Sequence, residues 1–220
     1  KNDEIITDCI VGEPTSSKLV GDTIKIGRRG SLSGFIVCNG KQGHIAYPEK
    51  AINPVEELIN FLGKLKSLKL DAGSKFFDPS SLNISTVDTN NKALNVIPEK
   101  SYANFNVRFN DKHSCSSLIK KIDTLLMEFN KESSATVEIK YKCSGESFVT
   151  EPGQLSDLLI TSIKETTDID CKFSTGGGTS DARFIREHCP VVEFGLVGET
   201  MHQVNENTSV DDIILLKEIY

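Results

Sequence analysis

Apolar residues recur along this chain with two periods, about two and about three and a half, and the switches between them mark its elements. The clearest alternation lies between Tyr102 and Phe109. Ala103, Phe105, Val107 and Phe109 share one face of a predicted strand and leave Asn104, Asn106 and Arg108 on the other. An apolar, β-rich run from Leu32 to Cys38 and a segment from Ser81 to Val87 predict two more strands, and Val137, Ile139 and Tyr141 a fourth. Between them lie two helical stripes. The first has Asn53 as cap, Pro54 in the first turn, Glu56 three residues after the cap, and Val55, Leu58, Leu62 and Leu65 on one face. The second, roughly Cys115–Asn130, stacks Leu118, Ile122, Leu125 and Phe129. The order β-α-β-β-α-β is a split βαβ arrangement, two helices on one face of a four-stranded sheet, and it forms a complete ferredoxin-like α+β domain over 31–143.

The flanks read differently. Residues 8–12 predict a short buried strand that delivers Glu13 to a loop at its carboxyl end. Residues 144–220 read as helix, strand, glycine-rich loop, helix, strand, loop and helix, the last opened by Ser209 and apolar at Ile213, Leu216 and Ile219. Residues 1–30 and 144–220 together hold too few strands for a closed α/β domain. The start at Lys1, without methionine or signal segment, reads as a chain cut from something longer.

Composition narrows the classes. With 220 residues, 38% of them hydrophobic, the chain buries a real core. A formal charge of −6 argues against a general nucleic-acid binder, and no apolar run approaches the ~20 residues of a membrane helix. Small molecules or other protein chains are the expected partners. Six cysteines lie far apart with no C-x-x-C pair, so reduced, buried thiols in a cytoplasmic protein are expected.

Three groups could carry chemistry. Gly40-Lys41-Gln42-Gly43-His44-Ile45-Ala46-Tyr47-Pro48 presents a lone histidine on a loop shaped by glycines and a proline; the plain alternative is a turn with a surface histidine. Ser174-Thr175-Gly176-Gly177-Gly178-Thr179-Ser180-Asp181 offers backbone N–H groups to an anion, or is simply a strand-to-helix turn, and lacks the Lys-Ser/Thr of a nucleotide loop. Arg28, Arg29, Arg108, Tyr47 and Asn95 could converge on a multiply anionic ligand, although surface arginines are usually only solvated. Taken singly, Glu13 reads as a loop acid and His202 as an ordinary polar residue, but both types suit Zn²⁺.

Gly43-His44-Ile45-Ala46-Tyr47-Pro48, Val11-Gly12-Glu13-Pro14-Thr15, Gly27-Arg28-Arg29-Gly30-Ser31, Asn95-Val96-Ile97-Pro98, Asn106-Val107-Arg108-Phe109, Gly177-Gly178-Thr179-Ser180-Asp181 and Met201-His202-Gln203-Val204-Asn205-Glu206 resemble motifs of the M20 family of co-catalytic zinc amidohydrolases and peptidases, and within it of the desuccinylases. The resemblance implies an incomplete zinc-peptidase-like catalytic domain (1–30 and 144–220) with an inserted dimerisation lid (31–143). It implies Glu13 and His202 as metal ligands and His44 as a catalytic donor to the oxyanion in the partner subunit's site. Arg28, Tyr47, Asn95, Arg108, Gly178 and Thr179 are the implied substrate contacts. The implied cofactor is Zn²⁺, two per complete site with Co²⁺ an acceptable substitute. The implied reaction is hydrolysis of the amide of N-succinyl-L,L-2,6-diaminopimelate to succinate and L,L-diaminopimelate, in lysine biosynthesis, by a homodimer that binds neither nucleic acid nor membrane.

The departures are equally specific. The family's His-x-Asp and catalytic Glu-Glu pairs are missing, for no histidine here is followed two residues later by Asp and Glu56-Glu57 falls in the first helix of the lid. Ala182 stands where many desuccinylases have Gly, Gly198 where an Asn is expected, and Glu199 adds negative charge near His202. Two alternatives stay open: an inactive dimerisation and substrate-contact fragment, and another M20 activity such as an acetylornithine deacetylase or an aminoacylase.

Overall fold

The computed structural model describes residues 5–178 and 180–220. In chain order it contains β1 (Cys9–Val11), β2 (Thr23–Lys25), β3 (Gly27–Arg28), β4 (Gly30–Asn39), β5 (Gly43–His44), α1 (Pro54–Lys66), β6 (Ser81–Asp88), β7 (Val96–Ile97), β8 (Lys100–Phe109), α2 (Cys115–Glu132), β9 (Thr136–Gly145), β10 (Phe148–Val149), α3 (Gln154–Thr167), β11 (Lys172–Ser174), α4 (Ala182–Ile185), β12 (Val191–Glu193) and α5 (Val210–Ile219). The described residues form two compact units, one of 30–74 and 78–146, the other of 5–29, 75–77, 147–178 and 180–220. Residues 75–77, inside the range expected for the inserted domain, group with the other unit.

The first unit is an antiparallel sheet in the order β6-β8-β4-β9 with α1 and α2 packed on one face. The alternation in β8 carries through to packing: Ala103, Phe105, Val107 and Phe109 are buried, and the residues between them are not. Phe105 and Phe109 need space from the strand opposite, and their register partners there are Gly34 and Gly30. A Cβ on Gly34 would lie 2.1 Å from the Phe105 ring, so glycine is required by close approach. Asn53 caps α1 by accepting the Val55 N–H at 3.1 Å, and Ser114 caps α2 in a reciprocal box with Ser117. The helices meet at Phe61 and Phe129, edge to face with ring centres 5.2 Å apart.

The cysteine expectation needs correcting here. Cys115 and Cys143 form a disulfide, joining the first turn of α2 to β9, while Cys9, Cys38, Cys171 and Cys189 stay free. The two halves lie 28 residues apart, outside any short spacing motif, and meet only because α2 packs on β9. Burial pushes the Cys38 and Cys171 thiols up to about 11, which keeps both protonated near neutrality.

The second unit holds a mixed sheet, β1-β12-β2-β11, and the β3-β10 ribbon. β1 runs parallel to β12, β12 antiparallel to β2, and β2 parallel to β11. Val20, Ile24, Ile26, Leu159, Ile163, Val192, Phe194 and Ile219 form its main core. No helix among the described residues is long and apolar enough to cross a membrane.

Candidate functional site

In the first unit the short ladder β5-β7 pairs His44 with Val96 and Gly43 with Ile97, and the Ile45 N–H donates to the Asn95 carbonyl at 3.1 Å. His44, on β5, and Asn95, in the turn that leads into β7, are thereby brought together from 51 positions apart in the chain. The Ala46 N–H donates to His44 Nδ1 at 3.1 Å. An accepting Nδ1 places the proton of the neutral ring on Nε2, so this histidine presents an N–H donor to solvent. A turn closed by the Tyr47 N–H on the His44 carbonyl (2.9 Å) sets the Tyr47 ring 5.8 Å from the imidazole, and Lys50 Nζ lies 4.9 Å from the Tyr47 centroid. All three candidate side chains are exposed. Arg108 stands elsewhere, on the sheet face opposite the helices, between Ser31 and Ser81 in register. It is partly buried, and its guanidinium has no partner among the described residues. Glu56 and Glu57 prove structural: Glu56 accepts from Asn53 Nδ2, Glu57 from the Ser133 and Ser134 hydroxyls.

In the second unit β1 and β12 end side by side and place Glu13 against Gly195, where a Cβ would lie 2.5 Å from the Glu13 carbonyl oxygen. Glu13 lines a cavity of about 400 Å³ together with Gly198, Thr200, Met201, Glu206 and Tyr220. His202 follows Met201 in a turn at φ 64°, with its N–H 3.4 Å from Glu206 Oε2. Two segments expected to carry ligands thus border one cavity. A larger cavity, of about 690 Å³, is lined by none of the residues named from the sequence.

Donor chemistry tests the fit to a metal. Glu13 and His202 offer an oxygen and a nitrogen donor, right in kind for zinc, but two donors do not complete a site that usually takes three or four protein ligands. Among the described residues the one close group of three is Cys115, Cys143 and Glu146, whose sulfurs are spent in the disulfide. The residues present therefore offer two donors of the kind zinc takes, and not a complete ligand set.

The glycine-rich loop follows β11. Arg28, expected to meet a ligand, is only 9% exposed. Its Nε donates to Glu193 Oε1 and Oε2 at 3.1 and 2.8 Å, its Nη2 to the same carboxylate, and its Nη1 to the Gly176 carbonyl at 3.2 Å. Ser180 Oγ donates to Glu193 as well. Lys25 Nζ holds Ser174 Oγ at 3.0 Å; burial, then the neighbouring Arg28 charge, keeps this ammonium below its usual range. Gly177 sits at φ 103°, and a Cβ there would meet Arg28 Nη1 at 2.3 Å, whereas a Cβ on Gly178 meets nothing within 4 Å. Gly178 therefore borders open space, and Thr179 lies outside the described residues. Sequence reasoning missed Glu193, though one signal existed: a lone acid inside Val191-Val192-Glu193-Phe194 needs a buried partner.

Residues 26–134 match the M20 peptidase dimerisation domain. The chain is 52% identical over 217 residues to a succinyl-diaminopimelate desuccinylase of Roseobacter denitrificans, covering 99% of this chain and 57% of that protein. It is 50% identical over 219 residues to the desuccinylase of Ehrlichia canis, again covering 57% of its length. The chain thus spans rather more than half the length of the curated relatives it matches. In fold it is similar to a tripeptidase from Staphylococcus aureus (TM-score 0.75, 18% identity, 93% of this chain and 53% of that one) and an aminopeptidase from Bacillus cereus (TM-score 0.73, 16% identity, 93% and 55%). Residues 26–134 thus carry the M20 peptidase dimerisation domain, within a chain that is similar in fold to those two peptidases and shares about half its residues with the desuccinylases it matches.

Proposed function

We propose that the protein to which this chain belongs is a zinc-dependent succinyl-diaminopimelate desuccinylase, cytoplasmic and dimeric through the lid unit. The reaction is hydrolysis of the amide of N-succinyl-L,L-2,6-diaminopimelate. The single observation that carries the reading is the His44 loop: its imidazole is held by the Ala46 N–H so that Nε2–H points outward as a donor.

In this reading His44 of one subunit donates to the oxygen that gains negative charge as the amide carbonyl is attacked in the other subunit's site. Such a donor acts mostly in the transition state. Tyr47 and Asn95 flank it and orient the substrate, and Arg108 takes a substrate carboxylate. Gly178 and Thr179 supply loop contacts, while Arg28 acts through the loop it holds. Glu13 and His202 would each give zinc one ligand, two ions per complete site, with the remaining ligands from residues outside these 220. Zinc held there would supply Lewis acidity and an activated water near neutral pH.

The test uses the full-length protein with zinc. It is expected to release succinate from N-succinyl-L,L-diaminopimelate with a kcat/KM far above that for N-acetylornithine; preference for the acetyl substrate, or no hydrolysis of either, overturns the reading. The two-donor count favours a second, narrower reading for the 220 residues alone, that they are inactive by themselves. Turnover by this chain with added Zn²⁺ would contradict it.

A further inference from the structure

We infer that Glu193 is a positioning residue: its buried carboxylate locks Arg28 and Ser180 so that the glycine-rich loop between them turns Gly178 to the ligand side. The lock is structural in its evidence, and its bearing on substrate rests on the reading given above.

Glu193 lies in β12 and is 1% exposed, yet three groups from two distant segments converge on it. Arg28 comes from β3, 165 positions earlier, and Ser180 from the far end of the loop. Each grips one side of the segment between them. Arg28 Nη1 holds the Gly176 carbonyl, and its guanidinium fills the space a Gly177 side chain would need. Ser180 ties the other end to the same carboxylate. The loop base is fixed independently: Thr175 Oγ1 donates to the Phe76 carbonyl at 2.6 Å, Ile26 N–H to the Ser174 carbonyl at 3.0 Å, and Gly176 N–H to Ser174 Oγ at 3.2 Å. Within this frame Gly177 is turned inward and Gly178 faces open space.

Stability is a poor reason for this arrangement. A buried ion pair loses to desolvation much of what it gains by attraction, and apolar residues of the same volume often serve as well. What a bidentate pair adds is a fixed direction for the guanidinium. Here the direction is set by Glu193 and used on Gly176. A loop whose backbone must meet a carboxylate works best when already in the bound conformation, because ordering it on binding weakens affinity.

The experiment takes the full-length protein, wild type and with Ser180→Ala, Glu193→Gln and the apolar pair Arg28→Met/Glu193→Leu. It measures amide hydrogen exchange, zinc content, KM and kcat, with succinate as a competing anion. In Ser180→Ala, exchange should quicken by about tenfold within 174–180 and nowhere else. KM and the succinate inhibition constant should rise by about tenfold, with kcat within about threefold and zinc unchanged. The apolar pair keeps the unit folded if Glu193→Gln does not, and should show the same loop-confined change. Unchanged loop exchange in Ser180→Ala and the apolar pair overturns the lock, whether or not the protein is a desuccinylase. Faster loop exchange with unaltered KM and succinate binding overturns the link to substrate.

Discussion

The Ala46 N–H and His44 Nδ1 are 3.1 Å apart, and this one bond decides what the histidine can do. With Nδ1 accepting, a neutral His44 is a donor at Nε2 and has no lone pair there for a metal. If the full-length protein has the proposed activity, replacing His44 by Ala should therefore lower kcat by about 10²–10³ and change KM little, the pattern of a lost oxyanion donor. Zinc content, read by atomic absorption, should be unchanged. Loss of zinc would make His44 a ligand instead.

The Cys115–Cys143 bridge makes a prediction independent of catalysis. Thiol titration of the unfolded, unreduced chain should find four of its six cysteines free, and six after reduction. Reduction should destabilise the unit of 30–74 and 78–146 by about 2–4 kcal/mol in denaturant titration, since the bridge joins residues 28 positions apart. Six free thiols from unreduced protein would show that the pair is not bridged.

Neighbouring glycines should respond in opposite ways. Gly177→Ala places a Cβ at positive φ against Arg28 and should cost more than about 1 kcal/mol, seen as a lower melting temperature. Gly178→Ala meets nothing within 4 Å, so melting should hardly move while KM rises. Equal melting temperatures for the two variants would contradict the inward and outward assignment.

Asp71 should give its unit, 30–74 and 78–146, a stability that acid removes. Burial works against its ionisation, but donors from Ser80, Gly73 and Asn110, the last at 2.6 Å, outweigh it and hold the carboxyl well below the usual range, with His113 Nε2 3.1 Å away. A carboxyl depressed in the folded state stabilises fully above its unfolded value, about 3.9, and loses that contribution as pH falls toward the folded one. Asp71→Asn should thus be less stable than wild type by about 1–3 kcal/mol at pH 7, in urea, with the gap narrowing below about pH 4. A gap that is constant or widens with acid would contradict this.

What could be read in advance follows from the range of each interaction. The β8 alternation, the Asn53 cap and the α2 stripe are local patterns, and the structure has each of them. The His44 loop could be read too, because glycines and a proline shape it within nine residues. Its neighbour Asn95 could be named but not placed, since their meeting depends on a two-residue ladder. The Arg28–Glu193 pair joins residues 165 apart, so from sequence Arg28 looked free for a ligand and Glu193 went unnoticed. The disulfide escaped for the same reason. Composition argued for reduced thiols, and only the packing of α2 on β9 brings the two sulfurs together.

The central claim, that one subunit's lid histidine serves the other subunit's zinc centre, is tested most directly by subunit mixing. Full-length His44→Ala subunits are combined with Glu13→Ala subunits, each expected to keep at most about 1% of wild-type activity alone. In a mixed dimer one intact metal site, on the His44→Ala subunit, faces one intact histidine from its partner. The account predicts that demonstrably mixed dimers recover up to half the activity of wild type, one site in two. No recovery in such dimers would mean that His44 serves its own subunit or takes no part in the chemistry.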